Sequence, residues 1–297
     1  EGQSIHFFFI RITQPLAMLL FSLLFMPFIY SDQQTRSCLS CASETLRSRW
    51  FLTGLPTKAL GESQFISACD AATANNIPRE PCAGPCFTYI FDDPDNRGES
   101  TTHLIVRGCH DTMVGVISDR LTSGGTQNGL FCEYDSSYSR PDSRGKMVTT
   151  RTLVEYCGTR DDGCNKRSQF PTGTNDVCSG SQYNSTINGS PLYCYECRKD
   201  DWNCNDNRCY KKYCTKSVVE LSKGYTVQKT CSNVNILGLD NACAYSDVVN
   251  TAGDISVNMK YTSCFCKDQQ YCNSSPSLLS SLLFSLIPLV IVISSII

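Results

Sequence analysis

The sequence predicts an all-β protein made of two disulfide-rich modules in tandem. Its 297 residues include 20 cysteines, all of which lie between Cys38 and Cys272. Nineteen of them form two groups, each of which opens with a Cys-x-x-Cys pair and closes with Cys-Asn, and Cys178 lies between the groups. Between the cysteines, segments of strand composition alternate with turn-forming residues. Small exported modules bury little apolar surface and are held by disulfides, so we expect paired thiols rather than a large apolar core to give the chain its shape.

The first 31 residues have the composition of a signal peptide. An almost uncharged apolar run, residues 16–30, follows Arg11 and precedes polar residues that begin at Ser31. Such a run is short for a membrane span and suits the core of a signal peptide. We therefore expect residues 1–31 to direct export, with cleavage near Ser31. An uncleaved N-terminal anchor is the alternative.

The first module covers residues 38–165, and its loops are long. The 27 residues between Cys41 and Cys69 include Trp50 and Phe51. These two aromatic residues either pack back onto the module or stand exposed as anchors for a partner, because aromatic side chains dominate binding hot spots. We treat them as candidate partner-binding residues.

A hairpin should follow in the first module, where residues 87–91 and 102–106 have strand composition. The turn between them carries Asp92, Asp93 and Asp95. A solvated acidic turn is the simpler interpretation, and a site for a cation or a basic partner is the other.

Residues 166–193 read as a linker that is extended and exposed, because they are rich in Ser, Thr, Asn and Gly and lack apolar periodicity. Asn184 and Asn188 each begin an Asn-x-Ser/Thr acceptor in this segment. We expect N-glycosylation of at least one of them in an exported chain.

The second module covers residues 194–273 and contains ten cysteines. Residues 217–221 and 225–229 should form one hairpin, and residues 247–249 and 255–261 a second. Apolar and polar residues alternate along residues 255–261, which is typical of a half-buried strand.

The second module resembles those of the lymphocyte-antigen-six / urokinase-receptor (Ly-6/uPAR) family, which have the three-finger fold of snake toxins. The resemblance rests on the opening Cys194-Tyr195-Glu196-Cys197, on the spacing of the ten cysteines and on the closing Cys272-Asn273. Cys264 and Cys266 depart from the adjacent pair that is common in the family. The first module, with its Cys-x-x-Cys, long first finger and Arg107-Gly108-Cys109, is similar to neuronal nematode members linked to odour responses.

The resemblance implies a disulfide pairing that spacing alone cannot give. For the second module it implies Cys194–Cys214, Cys197–Cys204, Cys209–Cys231, Cys243–Cys264 and Cys266–Cys272. For the first module it implies Cys38–Cys86, Cys41–Cys69, Cys82–Cys109 and Cys157–Cys164. We expect the two remaining cysteines to form Cys132–Cys178. The alternative joins Cys132 to Cys157 and Cys164 to Cys178.

Residues 274–297 have the features of a glycosylphosphatidylinositol (GPI) attachment signal. Residues 278–297 carry no charge, whereas a spanning helix normally has Lys or Arg on its cytoplasmic side. Small residues precede this stretch, so we expect the lipid at Asn273 or Ser274, although the polar spacer is shorter than usual. A tail-anchored helix is the alternative.

Several function classes are disfavoured by the sequence. A net charge of −2 and a pI near 6.0 give no basic surface for nucleic acid. The Cys-x-x-Cys pairs could hold zinc or act in redox chemistry, but an oxidising compartment favours disulfides. His103 and His110 lack any recognisable catalytic motif around them. We expect no enzyme activity, no cofactor and no metal.

The sequence therefore predicts a GPI-anchored protein on the extracellular face of the cell membrane that binds an extracellular or membrane protein through its finger loops. The family resemblance implies modulation of a receptor or an ion channel. The alternatives are a structural or adhesion protein, a single-pass tail-anchored ectodomain and a secreted ligand.

Overall fold

A computed structural model describes residues 36–56, 60–71, 76–96, 102–115, 129–158, 163–172, 176, 178, 190–199, 201, 203–221, 224–252 and 255–274. The predicted signal peptide, Asn184, Asn188 and the apolar stretch 278–297 lie outside these residues. Within the described ranges, no helix has both the length and the apolar character to cross a bilayer. The described residues from Arg36 to Ser274 belong to one compact unit, so both modules are part of the same body.

The described part of the first module consists of antiparallel strands and a short α-helix. Its elements are β1 (Arg36–Leu39), β2 (Cys41–Ala42), β3 (Arg79–Cys82), β4 (Cys86–Asp92), β5 (His103–Cys109), α1 (His110–Val114), β6 (Leu130–Pro141) and β7 (Met147–Cys157). The main sheet has the order β2-β5-β4-β7-β6, and β1 pairs with β3 beside it. Short 3-10 turns occupy the long segment between β2 and β3, at Glu44–Leu46, Trp50–Thr53, Glu62–Gln64 and Ser67–Cys69.

The second module is a single antiparallel sheet. Its strands are β8 (Leu192–Lys199), β9 (Asn207–Lys211), β10 (Tyr213–Leu221), β11 (Gly224–Ser232), β12 (Ala242–Ala252) and β13 (Ile255–Cys266), followed by a 3-10 turn at Cys272–Ser274. The sheet order is β12-β13-β10-β11-β8-β9. The prediction of two all-β, disulfide-rich finger modules in tandem is confirmed.

All 20 cysteines are paired. The bridges are Cys38–Cys86, Cys41–Cys69, Cys82–Cys109, Cys132–Cys178, Cys157–Cys164, Cys194–Cys214, Cys197–Cys204, Cys209–Cys231, Cys243–Cys264 and Cys266–Cys272. They coincide with the pairs that the resemblance implies, and Cys132 is joined to Cys178. None of them crosses from one module to the other.

An asparagine closes each module by bonding to the backbone of the neighbouring strands. The Asn165 side chain is fully buried, accepts a hydrogen bond from Leu39 N (3.0 Å) and donates to the carbonyl oxygens of Leu39 (2.9 Å) and Phe87 (3.1 Å). Asn273 accepts from Tyr195 N (3.1 Å) and donates to Tyr195 O (3.0 Å) and Thr215 O (3.1 Å). Each asparagine therefore links strands of its module beside the cluster of buried disulfides, which we call the knot.

The two modules share one apolar core, and this core is larger than the cysteine content led us to expect. From the first module it includes Trp50, Leu52, Phe87, Tyr89, Phe91 and Tyr156, and from the second Tyr213, Val219, Ile236, Met259, Tyr261 and Phe265, among others. These side chains are each less than 10% exposed. Buried apolar area contributes roughly 25 cal/mol per Å², so the contact between the modules supports the fold together with the disulfides.

The modules lie side by side and point the same way. At the knot end of β6, Glu133 accepts a hydrogen bond from Tyr213, the first residue of β10. Further along β6, Ser139 accepts from Gln228 in the middle of β11. Beyond the end of β6, Gly145 lies beside Val219, near the tip of β10. Knot therefore lies beside knot, and fingertip beside fingertip.

Two carboxylates on β6 of the first module accept hydrogen bonds from the second module. Tyr213 Oη (2.6 Å) and Asn235 N (2.9 Å) donate to Glu133, which is 1% exposed. Lys211 Nζ lies 2.9 Å from each oxygen of Asp135, and Asn233 N donates to the same carboxylate at 2.8 Å. Because buried charges are costly without partners, this arrangement requires both modules.

The start of the linker covers the outer face of the first sheet, which corrects the prediction of an exposed segment. Phe170 and Cys178 are 8% and 3% exposed and pack in a cluster with Ile90, Ile105 and Leu153. Side-chain ion pairs also fix this part of the linker to the sheet: Arg167 contacts Glu155 of β7 at 2.5 Å and Asp176 at 3.0 Å. We call the described residues of 166–178 the strap.

Candidate interaction surfaces

Trp50 and Phe51 lie in the core, so their interpretation as exposed partner anchors is wrong. They are 7% and 3% exposed, and the Trp50 indole packs edge-on against Phe65 with ring centroids 6.0 Å apart. Trp50 Nε1 donates to Pro56 O at 2.8 Å, which satisfies the polar atom of the buried ring. The alternative prediction, packing onto the module, matches the structure.

Neighbouring elements hold the backbone that follows Trp50 in place. Arg140 donates to Leu52 O (3.0 Å), and Tyr89 donates to Thr53 O (2.8 Å). Ser246 of the second module donates to Leu55 O at 2.8 Å. The long first finger therefore folds inward and becomes part of the contact between the modules, which the sequence of the first module alone does not reveal.

The acidic turn is paired within the molecule. Arg49 binds both oxygens of Asp93 (3.1 and 3.0 Å) and one oxygen of Asp95 (2.8 Å). Arg151 binds Asp92 through two nitrogens at 2.9 and 2.8 Å. Burial opposes the charge on Asp95, but hydrogen bonds from Ser143 and Arg49 outweigh it and lower the pKa of Asp95. These contacts fit neither a simple solvated turn nor a cation site.

The same turn joins two fingertips of the first module. Ser143 N, in the turn between β6 and β7, donates to Asp95 Oδ1 at 2.8 Å. The turn between β6 and β7 is itself fixed by hydrogen bonds, because Asp142 Oδ1 accepts from Arg144 N (3.0 Å) and Lys146 N (2.8 Å). An open depression of about 330 Å³ results. Its lining, which we call the finger end, consists of Pro94, Asp95, Asp142, Ser143, Arg144 and Lys146.

Four tyrosines form a second surface, beside the knot of the second module. Tyr193 on β8 pairs directly with Tyr210 on β9, and their ring centroids are 4.8 Å apart. Tyr195 pairs with Arg208 in the same ladder and therefore lies on the same face. Tyr271 lies 4.7 Å from Tyr195 between ring centroids. We call this set, with Arg208, the tyrosine face.

Of the two residues predicted for lipid attachment, Asn273 is buried (3% exposed) and Ser274 is exposed. Like Asn165, Asn273 has a structural role, because its side chain is used in hydrogen bonds to the backbone of neighbouring strands. Ser274 is therefore the accessible one of the pair, and it lies at the knot end beside the tyrosine face.

The histidines have structural surroundings. His110 is fully buried, and its Nε2 lies 2.8 Å from Leu237 O of the second module. The His103 ring packs against Phe170 of the strap, with centroids 5.6 Å apart. Within the described residues, each group with metal-ligand spacing includes at least two disulfide-bonded cysteines, whose sulfurs are no longer thiolates.

Residues 41–166 match the family model described as Caenorhabditis elegans ly-6-related protein. The match runs from Cys41 to the residue after Asn165 and so spans nearly all of the first module. No curated protein matches the chain significantly.

Proposed function

We propose that this chain is a recognition protein of the cell surface, because residues 41–166 match a Ly-6-related family model and proteins of that kind are typically surface-associated and not enzymes. It is anchored by a lipid near Ser274 and binds an extracellular or membrane protein at its finger end. Binding modulates a receptor or an ion channel.

The alignment of the two modules is the observation that carries this proposal. The fingertips of both modules lie at one end, and the last described residue, Ser274, lies at the other. The uncharged stretch 278–297 follows a few residues later in the sequence. An anchor at Ser274 or in the stretch that follows leaves the finger end facing away from the membrane, where an extracellular partner can reach it.

The finger end is also suited to binding by its rigidity and its charge. Both tips are held by hydrogen bonds to Asp95 and Asp142, so little conformational entropy is lost on association. Arg144 and Lys146 are exposed at the rim of the depression. Their charges favour a partner with an acidic patch, which would also speed association.

Site-specific photocrosslinking on intact cells tests the proposal. A photoreactive amino acid at Ser143 is expected to give a discrete crosslinked receptor or channel subunit, whereas one at Glu196, exposed near the knot, is not. The double variant Arg144→Glu/Lys146→Glu should abolish the Ser143 crosslink and the effect on the partner's signalling. Crosslinking that is equal from Ser143 and Glu196 would contradict binding at the finger end.

Lipid attachment has a separate test. Phosphatidylinositol-specific phospholipase C should release the protein from intact cells if a glycolipid holds it. Protein that stays with the membrane after complete digestion would instead support the tail-anchored alternative, with the same finger end outward.

A further inference from the structure

We propose that the tyrosine face docks onto the headgroup layer of the membrane to which the chain is anchored. This inference rests on the anchoring part of the proposed function and goes beyond it, since it assigns a second, direct membrane contact to the folded protein. The consequence is a fixed orientation of the finger end above the bilayer.

The tyrosine face is unusual in how much aromatic surface it exposes. Tyr193 is 51% and Tyr210 is 54% exposed, whereas Tyr89, Tyr138, Tyr156, Tyr213 and Tyr261 are nearly fully buried. The exposed rings are not isolated, because Tyr271 lies between Tyr193 (6.4 Å) and Tyr195 (4.7 Å) by ring centroids. A contiguous exposed aromatic patch marks a contact surface, whereas single exposed rings are ordinary.

The chain itself indicates which surface covers this patch. Tyr271 N donates to Tyr193 O at 2.7 Å, and Ser274 N donates to Tyr271 O at 3.0 Å, so the exit point of the chain is part of the same structure. Only residues 275–277 separate Ser274 from the uncharged stretch 278–297. Four peptide steps span at most about 14 Å. A lipid attached at Ser274 leaves directly from the tyrosine face, and a membrane helix formed by 278–297 would begin within this reach, so either anchor holds the tyrosine face close to the bilayer.

The chemistry of the patch matches a headgroup layer. Tyrosine has an apolar ring and a polar hydroxyl, and it is enriched at the level where hydrocarbon meets water. The Arg208 guanidinium lies 5.4 Å from the centre of the Tyr271 ring. An arginine there can pair with lipid phosphate while its stem lies along the ring.

Depth-sensitive fluorescence quenching tests the docking directly. The full-length anchored protein is incorporated into vesicles of brominated phosphatidylcholine that contain no other protein. A Tyr193→Trp variant is compared with Tyr245→Trp, and the wild-type signal of Trp50 and Trp202 is subtracted. Tyr245 is the matched control because it is 52% exposed and lies on β12, at the opposite edge of the sheet.

We expect Tyr193→Trp to be quenched several-fold more strongly than Tyr245→Trp in vesicles, and the two to be equal after the anchor is cleaved. The double variant Tyr210→Ser/Arg208→Ser should weaken the quenching of Tyr193→Trp while the protein stays anchored. Equal quenching of both reporters in anchored protein overturns docking and leaves the proposed function intact. Protein that does not associate with the vesicles at all overturns the anchoring and, with it, the docking.

Discussion

The side-chain amides of Asn165 and Asn273 show how one residue type can close a disulfide-held module. Each amide uses its oxygen for one backbone N–H and its nitrogen for carbonyl oxygens on two or more strands. Only an amide offers donor and acceptor in this fork. The Cys-Asn ends in the sequence are therefore explained by backbone hydrogen bonding that disulfides cannot supply.

Replacing Asn165 by Asp tests this explanation with no change in size. The carboxylate keeps the acceptor for Leu39 N but turns an oxygen towards the carbonyls of Leu39 and Phe87, so both lose the amide N–H that they accept and face a negative charge instead. We expect a loss of about 3 kcal/mol in the free energy of unfolding, measured by urea denaturation. Asn207→Asp, at an exposed position of β9, should change it by less than about 0.5 kcal/mol. Equal effects of the two substitutions would argue against the amide fork.

Lys216 gives the stability a pH dependence that can be measured. It lies directly opposite Lys229 in the β10–β11 ladder and is 4% exposed. Burial, with a smaller contribution from the charge of Lys229, lowers the pKa of Lys216 from 10.5 to about 8. The unfolded chain therefore binds more protons than the folded chain between about pH 8 and 10.5, and stability should rise with pH in this window.

The urea midpoint of the wild type, compared at pH 7.5 and 9.5, should show this rise. In Lys216→Met the rise should be smaller, and the variant should be more stable than wild type at pH 7.5. Lys260→Met, exposed on β13, should retain the wild-type pH dependence. A wild-type midpoint that falls between pH 7.5 and 9.5, with no difference in Lys216→Met, would contradict the lowered pKa.

At the scale of elements, much of the β structure could be predicted from cysteine spacing and strand composition. The predicted strand 87–91 lies within β4, and 255–261 lies within β13. The hairpin of 217–221 and 225–229 corresponds to β10 and β11. Strand propensity and turn residues are local properties, so they can be read from a single segment.

The packing of elements was less predictable because it depends on contacts distant in sequence. The linker composition indicated an exposed segment, yet Phe170 and Cys178 cover the first sheet as part of the strap. Phe170 is a single aromatic residue among mostly polar neighbours in the sequence, so its burial was not predicted. Only the expected Cys132–Cys178 disulfide indicated that the start of the linker is attached to the first module. Trp50 and Phe51 were ambiguous for the same reason, since the core in which they are buried includes side chains from both modules.

The disulfide that joins the strap to β6, Cys132–Cys178, should contribute more to the free energy of unfolding than a disulfide that closes a short loop. In the chain-entropy account, the gain from a disulfide grows with the loop that it closes. Cys132–Cys178 spans 46 residues and Cys197–Cys204 spans 7. Cys132→Ala/Cys178→Ala should therefore cost about 1.7 kcal/mol more than Cys197→Ala/Cys204→Ala, by urea denaturation of the two variants. If the short-loop variant loses as much or more, loop entropy is not the main contribution of the strap disulfide.

At the scale of the whole molecule, the contact between modules makes one body from two repeats. No disulfide joins them, so only the shared core and polar contacts such as those of Glu133 and Asp135 hold them together apart from the linker. Nothing in the spacing of the cysteines indicated this contact. Its two carboxylates alternate with apolar residues on β6, a pattern that equally suits an exposed strand face.

Cutting the linker tests whether the contact holds the modules without a covalent link. With a protease site placed at 181–187 and cleaved, the two halves of the wild type should co-elute in size-exclusion chromatography at micromolar concentration. Lys211→Glu places a second carboxylate beside Asp135 and should cause the cleaved halves to separate. Arg198→Glu, exposed on β8, should leave them associated. Wild-type halves that elute apart would contradict a stable contact.

The contacts of Glu133 and Asp135 with the second module also limit which other domains could replace either module. A chimaera that joins this first module to an unrelated finger domain would leave the buried carboxylates of Glu133 and Asp135 without the donors that the second module supplies. Exchange of either half by gene shuffling or protein engineering therefore has to carry Lys211, Tyr213 and the Asn233–Asn235 backbone along with it.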